Sequence, residues 1–128
     1  MVFVFDPSQK GLETVMKDYQ VLTMRFLWER REEGTISKDV WLHVSKIFMA
    51  EEKTISRASI INFLQDMAEK GILNYWERSG KGGYHRVYTT VYDEAGFKEL
   101  LATQLIEKLL EEFPDETHKV ILKIMDKT

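Results

Sequence analysis

The 128-residue chain has no cysteine, only two prolines, and no apolar run near the ~20 residues a membrane-spanning helix requires. Without cysteine there is no disulfide framework, no thiolate metal site and no thiol nucleophile, which fits a reducing, cytoplasmic setting. The opening Met1-Val2-Phe3-Val4-Phe5 is apolar but stops at Asp6-Pro7, too short and too little basic for a signal peptide, so a soluble protein is expected. The three histidines, His43, His85 and His118, are scattered, with no second ligand at metal spacing. No glycine loop opens a helix after a strand, and no Ser/His/acid set is suggested. Neither an enzyme nor a cofactor or metal site is therefore expected.

Net positive charge is also missing. The formal charge is −3, against the basic surface that nucleic-acid binders usually carry. Its distribution is uneven. From Ser56 to Tyr92, five basic residues (Arg57, Lys70, Arg78, Lys81, Arg86) face three acidic ones (Asp66, Glu69, Glu77), a balance of +2. From Asp93 to His118, two basic residues stand against eight acidic ones, a balance of −6.

What is present is the composition of an ordinary globular domain, 44% hydrophobic and 30% charged, long enough to build a core without staples. Residues 1–10 read as an N-terminal arm, loosely held or adding a strand to a partner. Gly11 to Glu33 has helical spacing, with Gly34 as its stop and Glu29 to Glu33 as a solvated end. Thr35-Ile36 suits a small bridging strand. Ser37 is placed to cap a helix over Lys38 to Met49, buried through Val40, Trp41, Val44, Ile47 and Phe48, with His43 on the surface.

After a polar connection, Ser56 caps a helix that ends at Lys70-Gly71, with Ile60, Phe63, Leu64 and Met67 on its buried face. Ile72 to Arg78 and Arg86 to Tyr92 are rich in β-branched and aromatic residues and read as strands, joined by a turn at Ser79 to Gly83. Asp93 is placed to cap a long helix from Glu94 to Glu112. Phe113-Pro114 breaks it, and Asp115 is placed to cap a last helix carrying Val120, Ile121, Ile124 and Met125. The fold expected is mainly α with a small β-hairpin (α+β): a winged helix-turn-helix over residues 11–92, followed by C-terminal helices over 93–128.

The element order resembles the penicillinase-repressor family of winged-helix transcription regulators and the related multiple-antibiotic-resistance regulators. Leu27-Trp28, Ile55-Ser56, Ile60, Met67, Lys70-Gly71-Ile72-Leu73, Val87-Tyr88-Thr89 and the leucine-rich run from Asp93 to Leu110 carry the resemblance, which covers Asp18 to Phe113. It implies a homodimer on a palindromic operator in double-stranded DNA, with the Ser56–Lys70 helix in the major groove and the hairpin over the backbone or minor groove. It also implies dimerising C-terminal helices and a repressor's role. Induction by C-terminal cleavage, known in the penicillinase repressors, is not carried over, because no stretch here matches that site. No small-molecule effector is readable.

With the apolar stripe inward, the helix presents Arg57, Ala58, Ile61, Asn62, Gln65 and Asp66. Asn62 and Gln65 have the chemistry to pair with adenine, Arg57 with guanine or a phosphate, and Ile61 with a thymine methyl. Ser56 and Ser59, at the positive end of the helix, suit a phosphate oxygen. Arg78, Lys81, His85 and Arg86 are the hairpin's phosphate or minor-groove candidates. The seam Phe97, Leu101, Leu105, Leu109, with Ile121 and Ile124 on the last helix, is the expected dimerisation surface, the alternative being that these helices fold back on the first helix within one chain. The competing reading is a winged-helix protein-interaction module without DNA binding, favoured by an exposed Ile61 and by Asp66 on the same face.

Overall fold

The computed structural model describes residues 4–80 and 83–128. A 3-10 turn, Gly11–Thr14, precedes α1 (Asp18–Glu29), α2 (Ser37–Ala50) and α3 (Arg57–Glu69). The hairpin strands β1 (Leu73–Gly80) and β2 (Gly83–Thr90) follow, then α4 (Glu94–Glu112) and α5 (Pro114–Asp126). The chain divides into two compact units, Met1–Asp93 and Glu94–Thr128.

The first unit is a winged helix-turn-helix. Val40 and Val44 of α2 and Ile60, Leu64 and Met67 of α3 are fully buried, joined by Met24 and Leu27 of α1. Those spacings of three and four put each set on one helical face, so the three stripes converge on one core. Gly71, at φ +76°, ends α3 in the left-handed conformation and turns the chain into β1. The strands pair antiparallel, Leu73 opposite Thr90 and Gly80 opposite Gly83. Thr35 adds a single-residue bridge: its amide donates to Tyr88 O at 2.9 Å and its carbonyl accepts from Tyr88 N at 2.8 Å.

Four local expectations need correction. The helical spacing from Gly11 to Glu33 covers two elements, because Lys17 is extended and its amide donates to Gln20 Oε1 at 3.0 Å, which opens α1 at Asp18. Leu12 and Met16 are nevertheless buried, so their spacing reports packing and not helix. Ser37 is the first residue of α2 and not its cap, a place taken by Ile36 without a side-chain bond. Asp115 likewise lies inside the first turn of α5, which Pro114 opens where its missing N–H costs nothing. The five-residue turn contracts, since pairing continues to Gly80 and Gly83.

Described residues of the N-terminal arm are tied to their own chain: Val4 N donates to Val15 O at 2.9 Å, Asp6 N to Thr14 O at 2.7 Å, and Gln9 O accepts from Thr14 Oγ1 at 3.3 Å. In the second unit, Leu109 O accepts from Phe113 N at 2.7 Å and from Thr117 Oγ1 at 3.0 Å, which closes the α4–α5 corner. No described helix is long and apolar enough to cross a membrane.

Candidate nucleic-acid interface

Ser56 opens α3 as expected, its Oγ accepting from Ser59 N at 3.1 Å and lying 2.8 Å from Ser59 Oγ. The two hydroxyls therefore form one polar cluster at the positive end of the helix, with Ser56 exposed and Ser59 half-buried. Beyond it the solvent face carries Arg57, Ala58, Asn62 and Gln65, all exposed. Ile61 is half-buried, so it offers part of a methyl surface and not the exposed isoleucine anticipated. Asp66 donates no free negative charge to this face, because Lys70 Nζ lies 2.6 Å from its Oδ1, one turn further along.

Arg57 is held from below. Its guanidinium lies 5.9 Å from the centroid of the Trp41 ring, and Trp41 Nε1 donates to Ile55 O at 2.9 Å. Trp41, expected in the core, is only half-buried and spans from α2 to the entry of α3.

The hairpin sorts its candidates onto two faces, because side chains alternate along a strand. Arg78 and His85 are opposite one another across the strands, on the face that also carries Trp76 and Val87. Arg86 is on the other face with Tyr75, Glu77, Tyr84 and Tyr88. At its base that second face is buried through Leu73, Tyr88 and Thr90; further out Tyr75 is 44% exposed and Tyr84 80% exposed. The Arg86 guanidinium lies 4.2 Å from the Tyr75 ring centroid. A hydrogen bond to the Tyr88 side chain holds its pKa above the ordinary arginine value, with the charge of Glu77 a smaller cause, so Arg86 stays a cation. Lys81 lies outside the described residues.

α3 and β2 thus bring Arg57, Asn62, Gln65 and Arg86 to exposed positions, while Arg78 and His85 fall on the opposite hairpin face from Arg86. The aromatic partners of the arginines escaped the sequence reading. Tyr84 shares a face with Arg86 by alternation along β2, whereas Tyr75 joins them only in the observed register, whose signal was the glycine pair Gly80 and Gly83 that closes the hairpin.

The C-terminal candidates also divide. Phe97 is fully buried within the single chain and has no surface to offer a second copy, so it leaves the seam. Leu101 and Ile121 are half-buried. Leu105 at 41%, Leu109 at 39% and Ile124 at 58% are exposed, beside the equally exposed Ile106, Val120, Leu122 and Met125. Among the described residues, no group of three or more His, Cys, Asp or Glu side chains is placed to hold a metal ion.

No family model and no curated protein matches the chain. Among solved structures, a candidate transcriptional regulator from Thermoplasma acidophilum is similar at 22% identity and a TM-score of 0.45, over 73% of this chain and 93% of that one. A PadR-family transcriptional regulator from Eggerthella lenta is similar at 17% identity and a TM-score of 0.42, over 79% of this chain and 81% of that one. Neither is described as a penicillinase repressor or a multiple-antibiotic-resistance regulator, the families the sequence led to.

Proposed function

We propose that the protein is a double-stranded-DNA-binding transcription regulator, acting as a homodimer on a palindromic operator and repressing from it. The observation that supports this most is the solvent face of α3. It offers Arg57, Asn62 and Gln65 exposed on a helix whose apolar side is buried, with a capped, electropositive end and with Asp66 paired to Lys70. Asn62 and Gln65 would read base edges. Arg57, Ser56, Ser59 and the hairpin's Arg78, His85, Arg86 and Lys81 would hold the backbone or the minor groove. The exposed leucine and isoleucine side chains of α4 and α5 would be covered by a second copy, which sets two reading helices in two-fold relation.

The competing protein-interaction reading is supported by the exposed Tyr75, Trp76 and Tyr84 of the hairpin, but it loses its main support with Ile61 half-buried. A salt series on duplex binding separates the two. Binding should weaken steeply with salt, and Arg57→Ala or Lys81→Ala should lower affinity and flatten the log–log slope by about 0.9 for each phosphate contact removed. Failure of the wild-type chain to bind any duplex at low salt would end the DNA reading.

A further inference from the structure

We infer that Tyr75 and Trp41 are positioning residues, each holding in place an arginine that contacts DNA; this rests on the DNA-binding reading above. Two observations on different elements point the same way. Arg86 lies over the Tyr75 ring at 4.2 Å, and Arg57 lies over the Trp41 ring at 5.9 Å. A flexible arginine gives up much rotamer freedom when it binds, and a ring that fixes the guanidinium beforehand removes part of that cost from the binding step. This matters here because the chain is acidic overall and α3 presents a single exposed arginine, so affinity cannot come from the number of charges.

Each ring is itself anchored. Trp41 Nε1 donates to Ile55 O at 2.9 Å, immediately before the cap of α3, so one side chain sets both the entry of the helix and the direction of its first arginine. Tyr75 is directly opposite the buried Tyr88, their ring centroids 5.9 Å apart. The two tyrosines and Arg86 therefore form one row that runs from the core outward along the hairpin face. Tyr75 needs only its ring for this role, so Tyr75→Phe is the conservative control and Tyr75→Leu the disruptive variant.

The test is a double-mutant cycle on binding to a mixed-sequence duplex at low salt, with a melting curve for every variant. Tyr75→Leu should weaken binding about two- to five-fold, the range for an exposed cation–π contact, while Tyr75→Phe stays near wild type. In an Arg86→Ala background, Tyr75→Leu should change nothing further. Trp41→Phe, which keeps a ring but loses the bond to Ile55 O, should weaken binding more when Arg57 is present than in an Arg57→Ala background. In the free protein, relaxation of the Arg86 Nε–Hε pair should report a more mobile side chain in Tyr75→Leu than in wild type. Equal losses with and without the arginine, or an Arg86 as ordered in Tyr75→Leu as in wild type, would overturn the inference alone. A wild-type chain that binds no duplex removes the DNA reading and this inference with it.

Discussion

Gly34 and Gly71 have nearly the same backbone, φ +77° and +76°, but very different surroundings. A β-carbon on Gly34 would stand 2.5 Å from Val87 Cγ1 and 2.8 Å from the Trp76 ring, whereas one on Gly71 meets nothing within 4 Å. Gly71→Ala should therefore cost only the left-handed strain, about 1–2 kcal/mol. Gly34→Ala adds overpacking and should cost about 2–4 kcal/mol, and denaturant unfolding of the pair reads the difference. Glu52, in the connection between α2 and α3, is a non-glycine residue at φ +59°. Glu52→Gly exchanges that strain for a smaller loss of chain entropy and should raise stability by about 0.5–1 kcal/mol in the same measurement. Its neighbour Lys53 reaches Asp18 at 3.1 Å and Glu51 at 3.5 Å. The hydrogen bond to Asp18, more than the charge of Glu51, raises its pKa, so the lysine's share of these contacts persists through the neutral range and is lost as the pH rises past that raised value.

At the scale of elements, the end of α1 holds the end of the hairpin. Trp28 Nε1 donates to Tyr92 O at 3.1 Å, and Arg31 reaches Thr90 O at 3.4 Å and Val91 O at 3.0 Å. Glu29 to Glu33, expected as a solvated end, therefore contains a side chain that caps strand carbonyls 60 residues away in sequence. Trp28→Phe keeps the ring but removes the donor, and should cost about 1 kcal/mol in thermal or denaturant unfolding. At α3, Ser56→Ala removes the bond to Ser59 N and should cost about 1 kcal/mol as well. If DNA binding falls by more than the melting curve explains, the hydroxyl is also acting on the ligand.

At the scale of the whole molecule, the acidic surplus falls in the second unit, while the basic surplus falls in the helix–hairpin half of the first. α5 buries none of its residues among those described, although Val120, Leu122, Ile124 and Met125 are apolar. An unpartnered face of that kind is unfavourable in water, and burying each aliphatic side chain stabilises by about 1.5–3 kcal/mol. Leu109→Glu combined with Ile124→Glu should therefore raise the dissociation constant of the proposed homodimer at least about a hundredfold. Light scattering at micromolar concentration reads this as a change from dimer to monomer mass, and a wild-type chain that is already monomeric would refute the dimer. The same variant should bind a two-half-site duplex more weakly, because the second reading helix no longer arrives with the first.

The sequence by itself determined the order of the α-helices and strands, the buried stripe of α3, the burial of Val40, Val44 and Phe48 on α2, the Ser56 cap and the stop at Gly71. Each depends on local spacing, or on a single residue's backbone freedom, and such signals survive without knowledge of neighbours. It did not determine where a pattern of apolar spacing stops being helix, as Leu12 and Met16 show, because packing demands the same spacing from a turn. Only the tertiary structure decided which candidates act together. The pairing of Gly80 with Gly83 set the strand register and so put Tyr75 on the face of Arg86 and Arg78 on the other. The approach of α2 to the start of α3 put Trp41 beneath Arg57, and the folded chain buried Phe97 while leaving Leu105 and Leu109 outside. Register, ring-to-cation distance and burial are relations between residues far apart in the chain, and no local spacing encodes them.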